Sequence, residues 1–143
     1  MRHLLALLPL VCALSSPAFG DNLLTGRWYS EGNEDGRHLQ FVLANNPDGT
    51  FVKNIRNGTN CRAIATWVET GSWSFDGKRY AETTETVGGQ KVDTATGEFK
   101  DAFDVARVDD RHMALIDVKT QITWTLAKVD PTYTMSPPKE CTV

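Results

Sequence analysis

From residue 26 onward the chain is a succession of short runs in which apolar and polar residues alternate with a period of two, separated by turn-forming residues. Thr25-Gly26-Arg27-Trp28-Tyr29-Ser30 opens the first strand, and Gly32 to Gly36 predicts a turn. Residues 37–44 place Leu39, Phe41 and Leu43 on one face and His38, Gln40 and Val42 on the other. Pro47-Asp48-Gly49 then predicts a hairpin turn, because Pro fixes φ and Gly permits a positive φ. The return strand, 50–56, sets Phe51, Lys53 and Ile55 against Val52, Asn54 and Arg56. Residues 62–75 form the longest run, and Gly71 within it predicts a bend or bulge. Asp76-Gly77 marks the next hairpin and 79–87 a Thr-rich strand, followed by Gly88-Gly89 and a loop with some strand character over 90–98. Phe99 to Val108 alternates Phe99, Phe103 and Val105 toward the core, 112–118 is a strand, and 121–129 is the last, with Ile122, Trp124 and Leu126.

No window holds apolar residues at helical spacing for ten residues or more. Eight strands linked in sequence predict an all-β, eight-stranded antiparallel up-and-down barrel with no substantial helix, since closure removes exposed edges. A two-sheet sandwich is the competing architecture. An eight-stranded barrel has an interior wide enough for side chains or one small ligand.

Composition narrows the setting. Arg2 and His3, the apolar run from Leu4 to Leu14, and the small residues of Ala18-Phe19-Gly20 have the layout of a secretory signal over residues 1–20. The run is too short to span a membrane, which takes roughly 20 apolar residues. Cys12 raises lipoprotein processing, for which Val11 is a poor fit. Residues 21–130 are then one barrel domain and 131–143 a Pro-rich tail. The predicted location is secreted or periplasmic. A net charge of −3 and a pI near 5.6 argue against nucleic acid and against docking on an anionic membrane. Cys61 and Cys141 form an even pair in an oxidising compartment, which predicts a disulfide that ties the tail back.

Candidate chemistry is sparse. His38 and His112 fall on different strands without the three or four ligands of a zinc site, and the expectation is no metal and no cofactor. No Ser lies in a nucleophile context. Asp101, Asp104, Asp109, Asp110 and Asp117 read as scattered over turns and an outer face, and Arg56, Arg62 and Arg107 as external or as a ring at a mouth. Aromatic residues carry more: Trp28, Trp67, Trp73, Trp124, Tyr80, Phe41, Phe51 and Phe103 exceed what one barrel plug needs, though they also suit a filled interior. If Tyr80, Glu82 and Thr84 point inward, the interior holds polar groups that need partners; if outward, Ala81 and Thr83 leave space inside. Asn57-Gly58-Thr59 is a glycosylation sequon that matters only in a eukaryotic secretory pathway.

Gly26-x-Trp28 in the first strand, Asp48-Gly49-Thr50-Phe51, Glu69-Thr70-Gly71-Ser72-Trp73 before Asp76-Gly77, and Leu126-Ala127-Lys128-Val129 at the end resemble the lipocalin superfamily, in particular small secreted bacterial lipocalin-like domains. The resemblance spans nearly all of residues 23–129. It implies a basic residue over the first-strand Trp, here Lys128 rather than the usual Arg, and structural roles for Gly26, Trp28 and Lys128. It also implies a disulfide from the C-terminal segment to the barrel. The usual C-terminal helix is missing. The resulting expectation is a monomeric binding protein, not an enzyme, holding a small, largely apolar ligand near Trp67, Tyr80, Glu82, Phe103 and Phe41, at the end of the barrel away from Trp28. The alternatives are an inhibitor or partner of a secreted enzyme on the same scaffold, and an isomerase or hydratase.

Overall fold

The computed structural model describes residues 21–59 and 61–137. The predicted signal segment, and Cys141 in the tail, lie outside the described residues. A single helical turn, α1 (Asp21–Leu24), leads into β1 (Gly26–Glu34), β2 (Arg37–Asn45), β3 (Thr50–Thr59), β4 (Arg62–Phe75) and β5 (Arg79–Val87). A two-residue β6 (Gln90–Lys91) and a short 3-10 turn (Gly97–Phe99) precede β7 (Lys100–Val108), β8 (His112–Asp117) and β9 (Thr123–Lys128). Each strand pairs antiparallel with its neighbours, β5 passes directly to β7, and β9 pairs with β1. Eight strands therefore close a barrel, and β6 is a stub folded back on the end of β5. Closure leaves the first half of β4 open on one side: β4 pairs with β3 along its length but with β5 only from Glu69 to Phe75.

The register shifts between Thr70 and Gly71, where the sequence predicts a bend. The reason is steric. A Cβ at Gly71 would overlap the carbonyl oxygen of Thr83 on β5, so only glycine lets the strands approach this closely. Turns are closed by aspartates. Asp48, Asp76, Asp109, Asp117 and Asp130 each accept backbone N–H groups two or three residues ahead. At Asp109 the N–H groups of Arg111 and His112, with the Arg107 guanidinium, hold the carboxyl at about 2. The Asp117 turn also shortens the last strand, which begins at Thr123 rather than Gln121, because Gln121 adopts φ 60° and donates its N–H to the Asp117 carbonyl.

The end formed by α1 and the β2–β3, β4–β5 and β7–β8 turns is closed. Trp28 is fully buried there, its Nε1 donating to the Leu24 carbonyl at 3.0 Å and the Lys128 ammonium lying 5.0 Å from its ring centre. Gly26, at φ +115°, leaves room for the Lys128 stem, whose Cε would lie 2.8 Å from any added Cβ. The segment after β9 crosses the outside of β1 and β2: Arg27 Nε donates to the Tyr133 carbonyl, the Tyr133 ring meets that of Tyr29, and Gln40 Nε2 donates to the Ser136 carbonyl. That cover is why Gln40 and Val42, on the outward face of β2, are buried.

Trp28→Ala is expected to cost about 3–5 kcal/mol in denaturant unfolding; a loss under about 1 kcal/mol would contradict its placement. Gly71→Ala, which forces β5 or Phe51 to move, is expected to cost about 1–3 kcal/mol in the same assay.

Candidate binding site

Alternation decides what the interior sees. On β2, Leu39, Phe41 and Leu43 point inward; on β3, Phe51, Lys53 and Ile55; on β5, Tyr80, Glu82 and Thr84. Of the two orientations open for β5, the structure has the polar one facing in. At the closed end Trp28, Phe51, Trp73, Tyr80, Met113 and Leu126 pack into a core. Above them the barrel is hollow. A cavity of about 380 Å³ opens toward the β1–β2 and β8–β9 turns, a size in the range of small-molecule sites (about 300–1,000 Å³). Its walls are Leu39, Phe41, Leu43, Ile55, Phe103, Leu115 and Trp124, with Phe41 and Trp124 in edge contact at 5.5 Å.

The cavity floor is ionic. Lys53 Nζ binds Glu82 Oε2, and both side chains are almost wholly shielded from solvent, at 13% and 2% exposure. Burial acts most strongly on Lys53 and would lower its pKa, but the Glu82 carboxylate beside it, with Glu69 and Asp101, carries the net shift upward, so Lys53 stays charged. Its ammonium also lies 5.5 Å from the Phe51 ring centre and 5.9 Å from that of Phe41. The Tyr80 hydroxyl, with one proton to give, lies between Glu82 Oε1 at 2.7 Å and Asn45 Oδ1 at 3.0 Å. Burial first, then the Glu82 charge, push the Tyr80 phenol well above its usual value. Asn45 in turn donates to the Leu24 carbonyl, the same oxygen that receives Trp28 Nε1. A continuous polar column thus runs from Trp28 at the closed end to Lys53 at the cavity floor.

The rim is acidic. Glu34, Glu69, Asp101 and Asp117 reach the opening from β1, β4, β7 and β8, with Lys119 beside them. Burial, then the charges of Asp35, Asp117 and Asp101, raise the pKa of Glu34. A second recess of about 270 Å³ continues outward along β1–β4 and shares Glu34, Leu39 and Ile55 with the cavity.

Of the residues singled out in the sequence, Phe41, Glu82 and Phe103 line the cavity. Tyr80 lies below it in the core, and Trp67 lines the outer recess, its Nε1 bound to Glu69 Oε1. One reading needs correction. Asp101 and Asp117 are not on an outer face: they share the inward face of Phe103 and Leu115, two residues away in each case. Of the two readings of the arginines the external one holds, because Arg56 alternates outward from Ile55, Arg62 is exposed at the β3–β4 turn, and Arg107 pairs with Asp109 near the closed end. Lys53 and Asn45 were missed. The signal for Lys53 was its place between Phe51 and Ile55 on an inward face.

Either Lys53→Met or Glu82→Leu alone should destabilise by about 3–5 kcal/mol in denaturant unfolding, since each strands a buried charge, while the double variant should recover most of the loss. The pKa values of Lys53 and Tyr80 are both raised in the fold from unfolded values of 10.5 and 10.0. Folded protein then keeps protons that the unfolded chain releases, so their contribution is full below about pH 10 and falls as pH rises further. A base-unfolding midpoint that moves down in Glu82→Leu checks the sign.

No protein-family model matches the chain, and no curated protein matches it. Among solved structures, it is similar to an uncharacterized protein from Bacteroides eggerthii DSM 20697, at 13% identity over 73% of this chain and 98% of that one, with a TM-score of 0.45.

Proposed function

We propose that this protein is a binding barrel that holds a small, largely apolar molecule in its central cavity, and that it works outside the cytoplasm. The hollow above the Lys53–Glu82 floor carries this reading: seven apolar or aromatic side chains surround a volume suited to one small ligand. The signal-like residues 1–20 support the secreted or periplasmic location. A lipocalin-like assignment draws support from the closed barrel and from Lys128 over Trp28. The same reading includes no catalytic role and a monomeric state. It also includes the Cys61–Cys141 disulfide. The even pair of cysteines left after the signal-like segment, in an oxidising setting, supports it.

A second reading, a partner of a secreted protein, is favoured by one observation. Residues 62–67 of β4 leave one strand edge unpaired, with Ile64 61% exposed beside it. Co-purification from the native host separates the two, since a protein partner should survive washing.

Titration with a neutral naphthylamine dye, read by energy transfer from tryptophan, tests the cavity reading. One site is expected, and Leu115→Trp, which fills the cavity, should abolish binding with the circular dichroism unchanged. Absence of binding to the wild-type protein, or undiminished binding to Leu115→Trp, would contradict it. Under oxidising conditions Cys61→Ser should lower the melting temperature, the loop-entropy bound being about 4–5 kcal/mol; an unchanged midpoint would argue against the bond.

A further inference from the structure

We infer that the molecule held in the cavity is an amphipathic organic cation, its apolar body against Phe41, Leu115 and Trp124 and its ammonium-type head at the carboxylate rim. This rests on the cavity-binding reading above and specifies its ligand.

The rim of the cavity carries charge left over. Two of the five carboxylates that line the cavity have cationic partners: Glu82 binds Lys53, and Asp101 lies 3.3 Å from Lys119 Nζ. Lys119 is further occupied by the Lys100 carbonyl at 2.8 Å. Among the described residues the other three form no ion pair. The Glu34 carboxyl makes no hydrogen bond or ion pair among the described residues. Glu69 accepts only the Trp67 indole through Oε1, and Asp117 accepts two backbone N–H groups of its own turn through Oδ1. Arg37, across the hairpin end from Glu34, is exposed and forms no ion pair with it. The rim is therefore a negative collar over an apolar chamber, and the Lys53 charge below it is already neutralised by Glu82.

An anionic amphiphile such as a fatty acid would bring its head to this collar against three unpaired carboxylates. A neutral molecule would bury its body but leave the collar unused. A bare metal ion does not fit either, because no group of three His, Cys, Asp or Glu among the described residues stands close enough to hold one. Carboxylates spread around an opening, rather than converging on a point, suit a bulky cation whose charge is diffuse. The half-buried setting makes each attraction stronger than in open water.

Three probes with the same ten-carbon chain test this: decyltrimethylammonium, decanol and decyl sulfate, each titrated below its micellar concentration against tryptophan fluorescence. The ammonium is expected to bind at least tenfold tighter than decanol and the sulfate weakest, with the ammonium preference shrinking severalfold in Glu34→Gln and at high salt. Decanol or decyl sulfate binding as tightly as the ammonium would overturn the inference while leaving the cavity reading intact. No binding of any probe would overturn both. An ammonium preference unchanged in the double variant Glu34→Gln, Asp117→Asn would also overturn it, since the collar would then not be its source.

Discussion

The buried pair of Lys53 and Glu82 is the constraint on which the interior depends. Two charges taken out of water are tolerated only when they face each other and their remaining hydrogen-bonding capacity is met. Glu82 meets this condition through Lys53 on one oxygen and the Tyr80 hydroxyl on the other. Asn45 Oδ1 stands 3.0 Å from the same hydroxyl, as the alternative acceptor for its one proton, while Asn45 Nδ2 donates to the Leu24 carbonyl, which also receives Trp28 Nε1. Polar contacts thus run from the closed end of the barrel to the floor of the cavity. Trp28 seals the bottom and also shares the acceptor that orients the column above it.

The column explains why the barrel is not packed solid. An eight-stranded barrel can be filled by its own side chains, and its lower half is. Where the column ends, the inward positions turn to residues that line rather than plug: Leu39, Ile55, Phe103 and Leu115 stand around the hollow. Of the aspartate-closed turns, the one between β8 and β9 stands at the opening, and its Asp117 also presents its carboxyl to the rim.

Much of the fold was legible because period-two alternation and turn chemistry point the same way. Pro47-Asp48-Gly49, Asp76-Gly77 and Gly71 each act where the local residues demand. The site was legible only in part. Phe41 and Phe103 follow from alternation, Glu82 is one of the two orientations that alternation leaves open for its strand, and the same rule applied to Asp101 and Asp117 places them inward. Counting them as surface charge overrode that rule, since charged residues are usually exposed. Lys53 was hidden for the same reason. What alternation does not supply is which strands meet across the barrel. The pairing of β4 with β5 brings Glu69 and Glu82 to one interior, and the meeting of β1, β7 and β8 ends gathers Glu34, Asp101 and Asp117 at one opening.

The central claim is that the hollow above Lys53 and Glu82 is a ligand site. Nuclear Overhauser contacts between the protein and bound decyltrimethylammonium test it most directly. The account predicts chain methylenes close to the Leu115 methyls and the Trp124 and Phe41 rings, with the head-group methyls near Glu34 and Asp117. Contacts confined to Ile64 and Val68, on the outer surface of β4, would contradict it.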